Sequence, residues 1–470
     1  MERIALTAEE IAAITGGRLL SGSPDRRVES FSIDSRTLGP GDLFVAIRGD
    51  RFDGHDFVTA ALAAGAQGAV VSEALVGREA GRGQPALVVV LVSDTTRALQ
   101  DIAREIRRRS SAKVVAITGS AGKTTTKELA AEFLAAKYSV FRNKGNLNNH
   151  IGLPLSLFEL RNRPDVAVVE LGMNHAGEIR TLVGIAEPDV RVWTNVGDAH
   201  LGFFATSDAI ADAKAEILEN ARPADVLIAN ADDPRVMARI GGFAGRTVTF
   251  GFTANAAVRA RDVENRGLDG TAATVTTPAG EMRIATPLLG AGNLANVLAA
   301  TAVATELGVP LDAIAERAAK TRPARHRGEL LRLAGGITII DDSYNSSPAA
   351  LKRSLETVKL ASGSARKVAF LGEMLELGDH AARLHAECGR AAAEAGLDLL
   401  VAVGGDSARI LADAAREAGL PESAVTHVAN STDAADLAVK NVRPGDLVLV
   451  KGSRGVRTDL IVDRLKVEFA

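Results

Sequence analysis

Short apolar runs alternate with amphipathic segments over most of the chain, which is the pattern of an α/β protein. The clearest stretch begins with the run KVVAIT at 113–118, followed by a glycine-rich turn and a predicted helix from Lys123. Predicted strands and helices then alternate, at 166–170, 176–186, 190–195, 207–220 and 225–230. Buried strands joined by helices are typical of a parallel sheet, whose ligands bind at the carboxyl ends of the strands.

The pattern changes on both sides of this stretch. Before it, short β-like runs such as DLFVAI mix with alanine-rich helical segments, and an amphipathic helix is predicted over 95–109. After it, alternating residues in TVTFGF, AAVRARDV and TAATVTTP predict a small antiparallel β flap within 245–286. Two predicted helices follow, Thr321-Arg322-Pro323 interrupts the pattern, and strands then alternate with helices to the last residue.

The length of 470 residues fits three domains of ordinary size. We expect a mixed α/β N-terminal domain at 1–94 and a central domain at 95–320 with the parallel sheet and the β flap. The last domain, at 321–470, is expected to be Rossmann-like.

Composition narrows the functional classes. Hydrophobic residues make up 46% and charged residues 24%, which excludes a disordered or collagen-like chain. The formal net charge is −3, so no overall field attracts nucleic acid or a membrane, and an anion site must be local. The single cysteine, Cys388, excludes a disulfide framework and a cysteine-rich zinc module. Neither a signal peptide nor an apolar run of about 18 residues is found, so we expect a soluble cytoplasmic protein.

The strongest local indication of chemistry is the segment VVAITGSAGKTTTKE. Four small residues lie between the predicted strand and helix: Gly119, Ser120, Ala121 and Gly122. Backbone N–H groups of such a turn bind phosphate oxygens, Lys123 can reach the β- and γ-phosphates, and the Thr124 hydroxyl can bind Mg²⁺. The turn is two residues shorter than the usual G-x-x-x-x-G-K-[ST] pattern, and a plain glycine turn before a surface lysine is the alternative.

Two further candidates follow neighbouring predicted strands. Glu170 ends the run 166–170, and His200 comes after the next run. Because the carboxyl ends of parallel strands share one edge, both side chains should lie near the phosphate turn, where a carboxylate is a candidate Mg²⁺ ligand. A solvent-facing glutamate and a structural histidine remain the alternatives.

Lys214 is singled out by the distribution of basic residues. The chain has 42 arginines and 13 lysines, and Lys214 is the only lysine between Lys144 and Lys320. A site that needs only positive charge could use arginine, whereas a lysine amine can also react with CO₂ to form a carbamate, whose two oxygens bind Mg²⁺. The competing interpretation is a helix-surface lysine near Glu216 and Glu219.

Several motifs occur along the whole chain in the order found in one enzyme family. They are TGSAGKTT, ELGMNHAGEI, NVGDAHLG, AKAEI, HRGE and DDSYNSSP. In these the chain resembles the Mur ligases, the ATP-dependent amide-bond synthetases of peptidoglycan assembly. The segments NKGNLNNHIGLP, GEMLELG and KGSRG resemble most the members that join D-alanyl-D-alanine to UDP-N-acetylmuramoyl-tripeptide. The resemblance implies that ATP converts the tripeptide carboxylate to an acyl phosphate, which the dipeptide amine attacks, releasing ADP and phosphate.

The resemblance also implies a central domain that holds ATP and two Mg²⁺ ions. Thr124 and Glu170 would bind one ion; Glu170, His200 and a carbamylated Lys214 would bind the other. The residues implied to hold the nucleotide are Gly119, Ser120, Ala121, Gly122, Lys123, Thr124, Thr125, Asn293, Asn296, Arg327 and Asp342.

Among these, Lys123, Glu170, His200, Lys214 and Arg327 are the implied catalytic residues. Gly292 stands where the family usually has a histidine before Asn293, which puts one adenine contact in question. The local alternative for Asn293 and Asn296 is a helix cap with a polar helix face. The alternatives for Arg327 and Asp342 are a linker cation and a strand-end turn former.

Other residues are expected to bind the substrates. The UDP portion is assigned by the resemblance to Asp34, Ser35, Arg36, Asp53, Gly54 and His55. The remaining candidates are Asn146, Asn148, Asn149, Tyr344, Asn345, Lys451 and Arg454. Lys451 and Arg454 follow the last predicted strand, where they could hold the dipeptide carboxylate. We expect His380 and His385 to be surface or capping residues, and Cys388 to be a packing residue.

Two rival functions remain open. One is another ligase of the same type, such as a polyglutamate ligase or the enzyme that adds the third residue, whose D-N-P-R motif is absent here. The other is a P-loop nucleotide switch. The expected partners are the UDP-linked tripeptide, ending in lysine or meso-diaminopimelate, and D-alanyl-D-alanine, with no nucleic acid and no membrane insertion. We expect a monomer.

Overall fold

The computed structural model describes residues 2–72, 87–198 and 201–470 and has the expected α/β architecture. Within these ranges the strands form sheets of five, nine and six strands and one two-stranded ribbon. None of the helices there has the length and apolar character that a bilayer-spanning helix needs.

The strands and helices have the following bounds. The strands are β1 (Leu6–Thr7), β2 (Arg18–Ser21), β3 (Arg27–Val28), β4 (Phe31–Ser32), β5 (Leu43–Val45), β6 (Gly68–Ser72), β7 (Val88–Val92), β8 (Lys113–Thr118), β9 (Val140–Arg142), β10 (Val166–Glu170), β11 (Val190–Trp193), β12 (Val226–Asn230), β13 (Arg246–Gly251), β14 (Val258–Asn265), β15 (Thr271–Thr277), β16 (Gly280–Thr286), β17 (Glu329–Arg332), β18 (Thr338–Asp342), β19 (Arg366–Gly372), β20 (Leu399–Val403), β21 (Val425–Val428) and β22 (Asp446–Lys451). The helices are α1 (Ala8–Ile14), α2 (Val58–Ala63), α3 (Thr95–Arg109), α4 (Lys123–Leu134), α5 (Gly152–Leu157), α6 (Glu178–Ala186), α7 (Ser207–Ala215), α8 (Pro234–Met237), α9 (Gly290–Glu306), α10 (Leu311–Lys320), α11 (Pro348–Leu360), α12 (Ala381–Glu394), α13 (Asp406–Glu417), α14 (Ser431–Asn441) and α15 (Asp459–Glu468).

The N-terminal sheet has the order β2-β7-β6-β5-β4, in which only β2 runs antiparallel to its neighbour. Successive side chains of a strand point to opposite faces. Accordingly, Val45 and Val70 pack into the layer that contains α1 and α3, whereas Phe44 and Val71 pack toward α2. The sheet is therefore buried on both faces.

The central sheet has the order β16-β15-β14-β13-β12-β11-β8-β10-β9. Alternate residues of β8 face opposite helical layers: Val114 and Ala116 pack toward α3 and α5, and Val115 and Ile117 toward α4 and α9. Strand β8 lies between β10 and β11, so the turn after it faces the carboxyl ends of both neighbours.

The predicted β flap proves to be a continuation of this sheet. Strands β14, β15 and β16 are antiparallel to one another as expected, but β13 pairs in parallel with both β12 and β14. The alternating pattern of TVTFGF indicates a strand with one more exposed face. Such a pattern is the same in parallel and antiparallel strands, so it does not predict the strand direction. The direction follows from the helical crossover through α8, which returns the chain to the same end of the sheet.

The C-terminal sheet has the order β17-β18-β22-β19-β20-β21, and only β17 is antiparallel. Helices α11, α12 and α13 cover one face, and α14 and α15 cover the other. Cys388 on α12 is fully buried, and desolvation raises the pKa of its thiol to about 12, which confirms it as a packing residue.

His385 is not the surface or capping residue that was expected. Its side chain is fully buried, Nδ1 donates to the carbonyl of Ala381 at 2.7 Å, and Nε2 accepts from the N–H of Met374 at 2.9 Å. Burial lowers the pKa of the imidazole, so the neutral tautomer with one donor and one acceptor fits these partners. His385 thus anchors the loop after β19.

Arg107 joins α3 to the central layer. Its guanidinium, which is buried, donates to Oδ2 of Asp189 at 2.7 Å. It also donates to the carbonyl oxygens of Ala186, Ala112 and Glu187 at 2.9, 3.2 and 2.9 Å. One side chain therefore satisfies four acceptors at the edge where α3 meets the central sheet.

Replacement of Arg107 by methionine should destabilise the protein by about 3 kcal/mol, because three carbonyl oxygens lose a side-chain donor and the half-buried Asp189 loses one of its donors. Urea unfolding followed by circular dichroism would measure the shift. Arg97→Met on the same helix is the matched control. Arg97 is exposed and pairs with Asp101, so its loss should cost less than about 1 kcal/mol. Equal shifts for the two variants would contradict the structural role of Arg107.

Candidate active site

The turn at 119–122 connects β8 to α4 and depends on its two glycines. Gly119 and Gly122 have φ angles of 148° and 81°. A Cβ at Gly119 would lie 1.9 Å from Oγ1 of Thr194, and one at Gly122 would lie 2.2 Å from Oδ1 of Asn296. The turn is therefore held between the end of β11 and the first turns of α9, with no room for a side chain at either glycine.

The backbone amides of this turn and of the start of α4 fall into two groups. The N–H groups of Ser120 and Ala121 donate to the backbone and side-chain oxygens of Asn195 at 3.0 and 2.9 Å. The N–H groups of residues 122–125 open α4, where a helix has no internal acceptor for them. These latter amides are the ones that can bind a phosphate, assisted by the helix dipole.

Lys123 lies at the mouth of a cavity of about 800 Å³. Its Nζ donates to the carbonyl of Gly119 at 2.8 Å, so the amine lies over the turn. Desolvation lowers the pKa of this amine; the nearby Glu170 carboxylate opposes the shift, and the Arg327 guanidinium adds to it. A cation held this way has unused capacity for an anionic ligand.

Glu170 ends β10 directly beside the turn and is buried. Its Oε2 accepts from the hydroxyl of Thr124 at 2.7 Å, and its Oε1 accepts from Nδ2 of Asn148 at 2.9 Å. The predicted proximity of Thr124 and Glu170 is thus found. A hydroxyl and a carboxylate in contact are the donor set that Mg²⁺ takes from a protein when phosphates supply further oxygens. Across the described ranges, no cluster of three or more acidic, histidine or cysteine side chains suited to a metal ion is present.

Lys127 and Asn143 hold Glu170 in place, and sequence reasoning missed both. The buried Nζ of Lys127 donates to the carbonyl of Asn143 at 2.6 Å. The side-chain Oδ1 of Asn143 accepts from the N–H of Glu170 at 3.1 Å. Lys127 lies four residues after Lys123 on the same helix, a spacing that could have indicated a second inward lysine in a lysine-poor chain.

Lys214 on α7 is buried, with 1% of its surface exposed, which excludes the helix-surface interpretation. Burial lowers the pKa of its amine well below the usual value, and repulsion from Lys123 adds to this. Glu216 does not pair with it, because that carboxylate accepts from the N–H groups of Gly177 and Arg180. Within the part of the chain that the structure describes, the amine makes no hydrogen bond or ion pair.

His200, the remaining candidate at this edge, lies outside the described residues.

Asn293 and Asn296 lie on α9, which packs against α4. Nδ2 of Asn296 donates to Oδ1 of Asn293, and Oγ1 of Thr126 donates to Oδ1 of Asn296, both at 3.3 Å. Helix α9 begins at Gly290 and has no side-chain cap, so the capping alternative for Asn293 is wrong. Both asparagines line the 800 Å³ cavity beside the phosphate turn.

The C-terminal sheet supplies the opposite wall of this cavity. Arg327 lies with its guanidinium carbon 4.1 Å from the centre of the Tyr344 ring, and Arg454 lies 5.8 Å from the same ring. The predicted residues that line the cavity together are Ser120, Ala121, Gly122, Lys123, Thr125, Asn146, Asn293, Asn296, Arg327, Asp342, Tyr344, Asn345, Lys451 and Arg454.

Lys451 and Asp342, which both line this wall, form an ion pair with each other. The buried Nζ of Lys451 lies 2.6 Å from Oδ2 of Asp342 and 3.0 Å from the carbonyl of Asn345. Its charge is therefore neutralised within the protein, and its assignment to the dipeptide carboxylate stays a prediction. Arg454 is exposed at the cavity edge and is the freer of the two cations.

His326 positions Arg327 and was also missed by sequence reasoning. Its Nδ1 lies 2.7 Å from Oδ2 of the buried Asp341, and its backbone has a φ of 62°. The carbonyl of His326 accepts from the N–H of Tyr344. These contacts fix the backbone on both sides of Arg327.

The residues assigned to the UDP portion lie on the N-terminal sheet, and none of them lines the cavity. Arg36 donates to both carboxylate oxygens of Asp34 at 2.9 and 2.7 Å, and this pair lowers the pKa of Asp34 to about 2. His55 is buried, with Nδ1 on Asp53 and Nε2 accepting from the N–H of Ser72 at 3.1 Å.

The predicted UDP-binding segments 34–36 and 53–55 also contain Ser35 and Gly54. Ser35 lies beside the Asp34–Arg36 pair, and a Cβ at Gly54 would lie 2.6 Å from the backbone of Ile47. Asn149 lies in the turn before α5, where its Oδ1 accepts from the N–H groups of Ile151 and Gly152 at 3.2 and 2.8 Å.

Comparison with known families matches three consecutive parts of the chain. Residues 27–107 match the Mur ligase family catalytic domain, 117–304 the Mur ligase middle domain, and 326–454 the Mur ligase glutamate ligase domain.

Curated relatives match over nearly the full length. A Bacillus subtilis (strain 168) protein is 33% identical over 463 residues, covering 98% of both chains. An Escherichia coli (strain K12) protein is 34% identical over 467 residues, covering 98% of this chain and 99% of the relative. Both are named UDP-N-acetylmuramoyl-tripeptide–D-alanyl-D-alanine ligase.

Solved structures agree with this. A crystal structure of MurF from Acinetobacter baumannii has a TM-score of 0.88 and 31% identity, covering 99% of this chain and 100% of that one. MurF ligase from Thermotoga maritima in complex with ADP has a TM-score of 0.81 and 30% identity, covering 94% and 98%.

Replacement of Gly122 by alanine should weaken ADP binding at least tenfold, because the new Cβ would clash with Asn296 and displace the turn. Isothermal titration calorimetry with ADP and Mg²⁺ would measure this. Gly177→Ala is the matched control. Gly177 also precedes a helix with a φ of 88°, but its Cβ would meet nothing within 4 Å. That variant should lose about 1 kcal/mol of stability and no ADP affinity. Unchanged ADP binding by the Gly122 variant would contradict the assignment of the turn.

Proposed function

The chain belongs to the Mur ligase family, and from this membership we propose that it is the ATP-dependent ligase that adds D-alanyl-D-alanine to UDP-N-acetylmuramoyl-tripeptide in peptidoglycan precursor synthesis. The observation that carries the proposal is the single cavity shared by the phosphate turn, the two asparagines of α9 and Arg327. Relatives with this name match the chain at 33–34% identity from end to end.

The first chemical step is phosphoryl transfer. A carboxylate oxygen of the tripeptide attacks the γ-phosphorus of ATP, the bond from that phosphorus to the β-phosphate oxygen breaks, and ADP leaves. Such a step needs positioning and charge neutralisation more than covalent help from the protein. The amides of 122–125 and Lys123 bind the phosphates from one side, and Arg327 approaches from the other.

Magnesium fits the residues beside the turn. Thr124 and Glu170 would hold one ion, which would neutralise charge on the phosphates. Nδ2 of Asn148 also orients the Glu170 carboxylate, and the backbone N–H of Glu170 donates to Oδ1 of Asn143. A second ion would be held by Glu170, His200 and a carbamylated Lys214.

The carbamate is supported by the state of Lys214. Carbamate formation requires a neutral amine, whose nitrogen bonds to the carbon of CO₂ and releases one proton. A buried lysine with a strongly lowered pKa and no anionic partner among the described residues supplies such an amine. The product would place an anion near the Lys123 amine, which disfavours a positive charge on Lys214.

The second chemical step is acyl transfer. The amine of D-alanyl-D-alanine attacks the carbonyl carbon of the acyl phosphate, phosphate leaves from the tetrahedral intermediate, and the new amide loses a proton. Arg454, exposed at the cavity edge, is proposed to hold the dipeptide carboxylate. Lys451 is proposed to act beside it by holding Asp342 and the Asn345 carbonyl in place.

We further propose that the three parts of the chain divide the substrates. Residues 1–94 would bind the UDP portion through the 34–36 and 53–55 segments, 95–320 would bind ATP, and 321–470 would bind the dipeptide. Because ATP and a UDP-linked precursor are intracellular metabolites, the proposed location is the cytoplasm.

Phosphate release from ATP tests the function directly. The purified protein should release phosphate only when UDP-N-acetylmuramoyl-tripeptide and D-alanyl-D-alanine are both present, with ligation confirmed by mass spectrometry of the product. Activity with a diamino acid and the UDP-linked precursor that ends at the second residue would instead indicate the third-residue ligase. ATP turnover that is indifferent to both substrates would indicate a nucleotide switch.

Lys214→Arg should lose most of the ligase activity although it keeps the charge, because a guanidinium does not form the carbamate. Lys214→Ala should also be inactive, and formate or another short acid should restore part of its activity by supplying a carboxylate. Lys320→Arg is the control, since Lys320 is exposed and pairs with Glu316; it should keep full activity. Full activity in Lys214→Arg would refute the carbamate.

A further inference from the structure

Helix α11 of the C-terminal part lies against the first turn of α9, and two glycines allow the approach. A Cβ at Gly292 would lie 2.9 Å from Cδ and 3.1 Å from Nε of Arg353. A Cβ at Gly290 would lie 3.2 Å from Oγ1 of Thr357. Arg353 and Thr357 are one turn apart on the same face of α11. Arg353 therefore occupies the space that any side chain at position 292 would take.

The guanidinium of Arg353 is unpaired among the described residues. Across residues 2–72, 87–198 and 201–470, no hydrogen bond or ion pair to it is present. It borders the 800 Å³ cavity together with Lys123 and Asn293, and also an adjoining cavity of about 290 Å³ next to Ser120 and Asn195. Solvent reaches the side chain through these openings.

Arg353 is a solvent-exposed residue, although protein surrounds much of its guanidinium. Enough protein lies around the guanidinium for desolvation to lower its pKa, although the Asp342 carboxylate favours the charged form. An unpaired guanidinium at the wall of a cavity can bind a planar or anionic partner. The open cavity leaves room for that partner.

We propose that Arg353 binds the nucleotide by stacking its guanidinium on the adenine ring, in the space that Gly292 leaves free. The inference rests on the proposed function, which places the adenine beside Asn293, the next residue of α9. A planar guanidinium stacks well on aromatic rings, which an ammonium does not do. The phosphates lie nearer the turn at 119–122, where Lys123 and the amides of 122–125 supply the positive charge.

The test compares ADP with tripolyphosphate, which has the phosphates but no base. In the full-length protein, Arg353→Ala should weaken ADP binding about tenfold in calorimetry and leave tripolyphosphate binding unchanged. Arg353→Lys should lose nearly as much ADP affinity, because it keeps the charge and lacks the planar group. The double variant Gly292→His with Arg353→Ala should recover part of the affinity, since a histidine ring can stack in the vacated space.

Lys352→Ala is the matched control on the same helix. Lys352 is exposed, pairs with Glu387 at 2.9 Å and does not line the cavity, so this variant should bind ADP normally. Unchanged ADP affinity in Arg353→Ala would overturn the proposal, as would an equal loss of tripolyphosphate affinity, which would indicate a phosphate contact. Failure of the unaltered protein to bind ADP at all would refute the proposed function itself.

Discussion

The close approach of the turn at 119–122 to its two neighbours is the constraint on which the site depends. The turn is held between Thr194 at the end of β11 and Asn296 on α9, with no space for a Cβ at either of its glycines. This contact sets the start of α4 and hence the direction of its free amides. It also brings Lys123 and Thr124 beside Glu170, because β10 and β11 flank β8 in the same sheet.

Three lysines of the site, Lys127, Lys214 and Lys451, are buried, and the charge of each is treated differently by its surroundings. Lys127 donates to a backbone carbonyl, and Lys451 is neutralised by Asp342. Lys214 has no such partner within the described residues, and burial, with repulsion from Lys123, lowers the pKa of its amine. The buried arginines Arg107 and Arg191 instead bind several carbonyls and a carboxylate away from the cavity, as the fork of a guanidinium allows.

The cavity lies between the central sheet and the C-terminal sheet. Its walls come from α4 and α9 of the central part and from the strand ends and α11 of the C-terminal part. A second contact between these parts is the hydrogen bond from the N–H of Gly202 to the carbonyl of Glu376, at 2.7 Å, where backbone meets backbone. Ligands bound between two such bodies typically couple binding to closure of one body on the other.

The sequence by itself determined the features that depend on near neighbours in the chain. The phosphate turn, the strand that precedes it and the position of Glu170 at the end of β10 follow from local pattern and from the rule that parallel strands end at one edge. Only the tertiary structure decided which polar residues are buried. Periodicity cannot show whether a helix face meets solvent or another layer, so the burial of Lys214 and His385 was not visible in it. The same holds for contacts between helices far apart in sequence, such as Arg353 over Gly292, because they depend on how the layers of two different sheets meet.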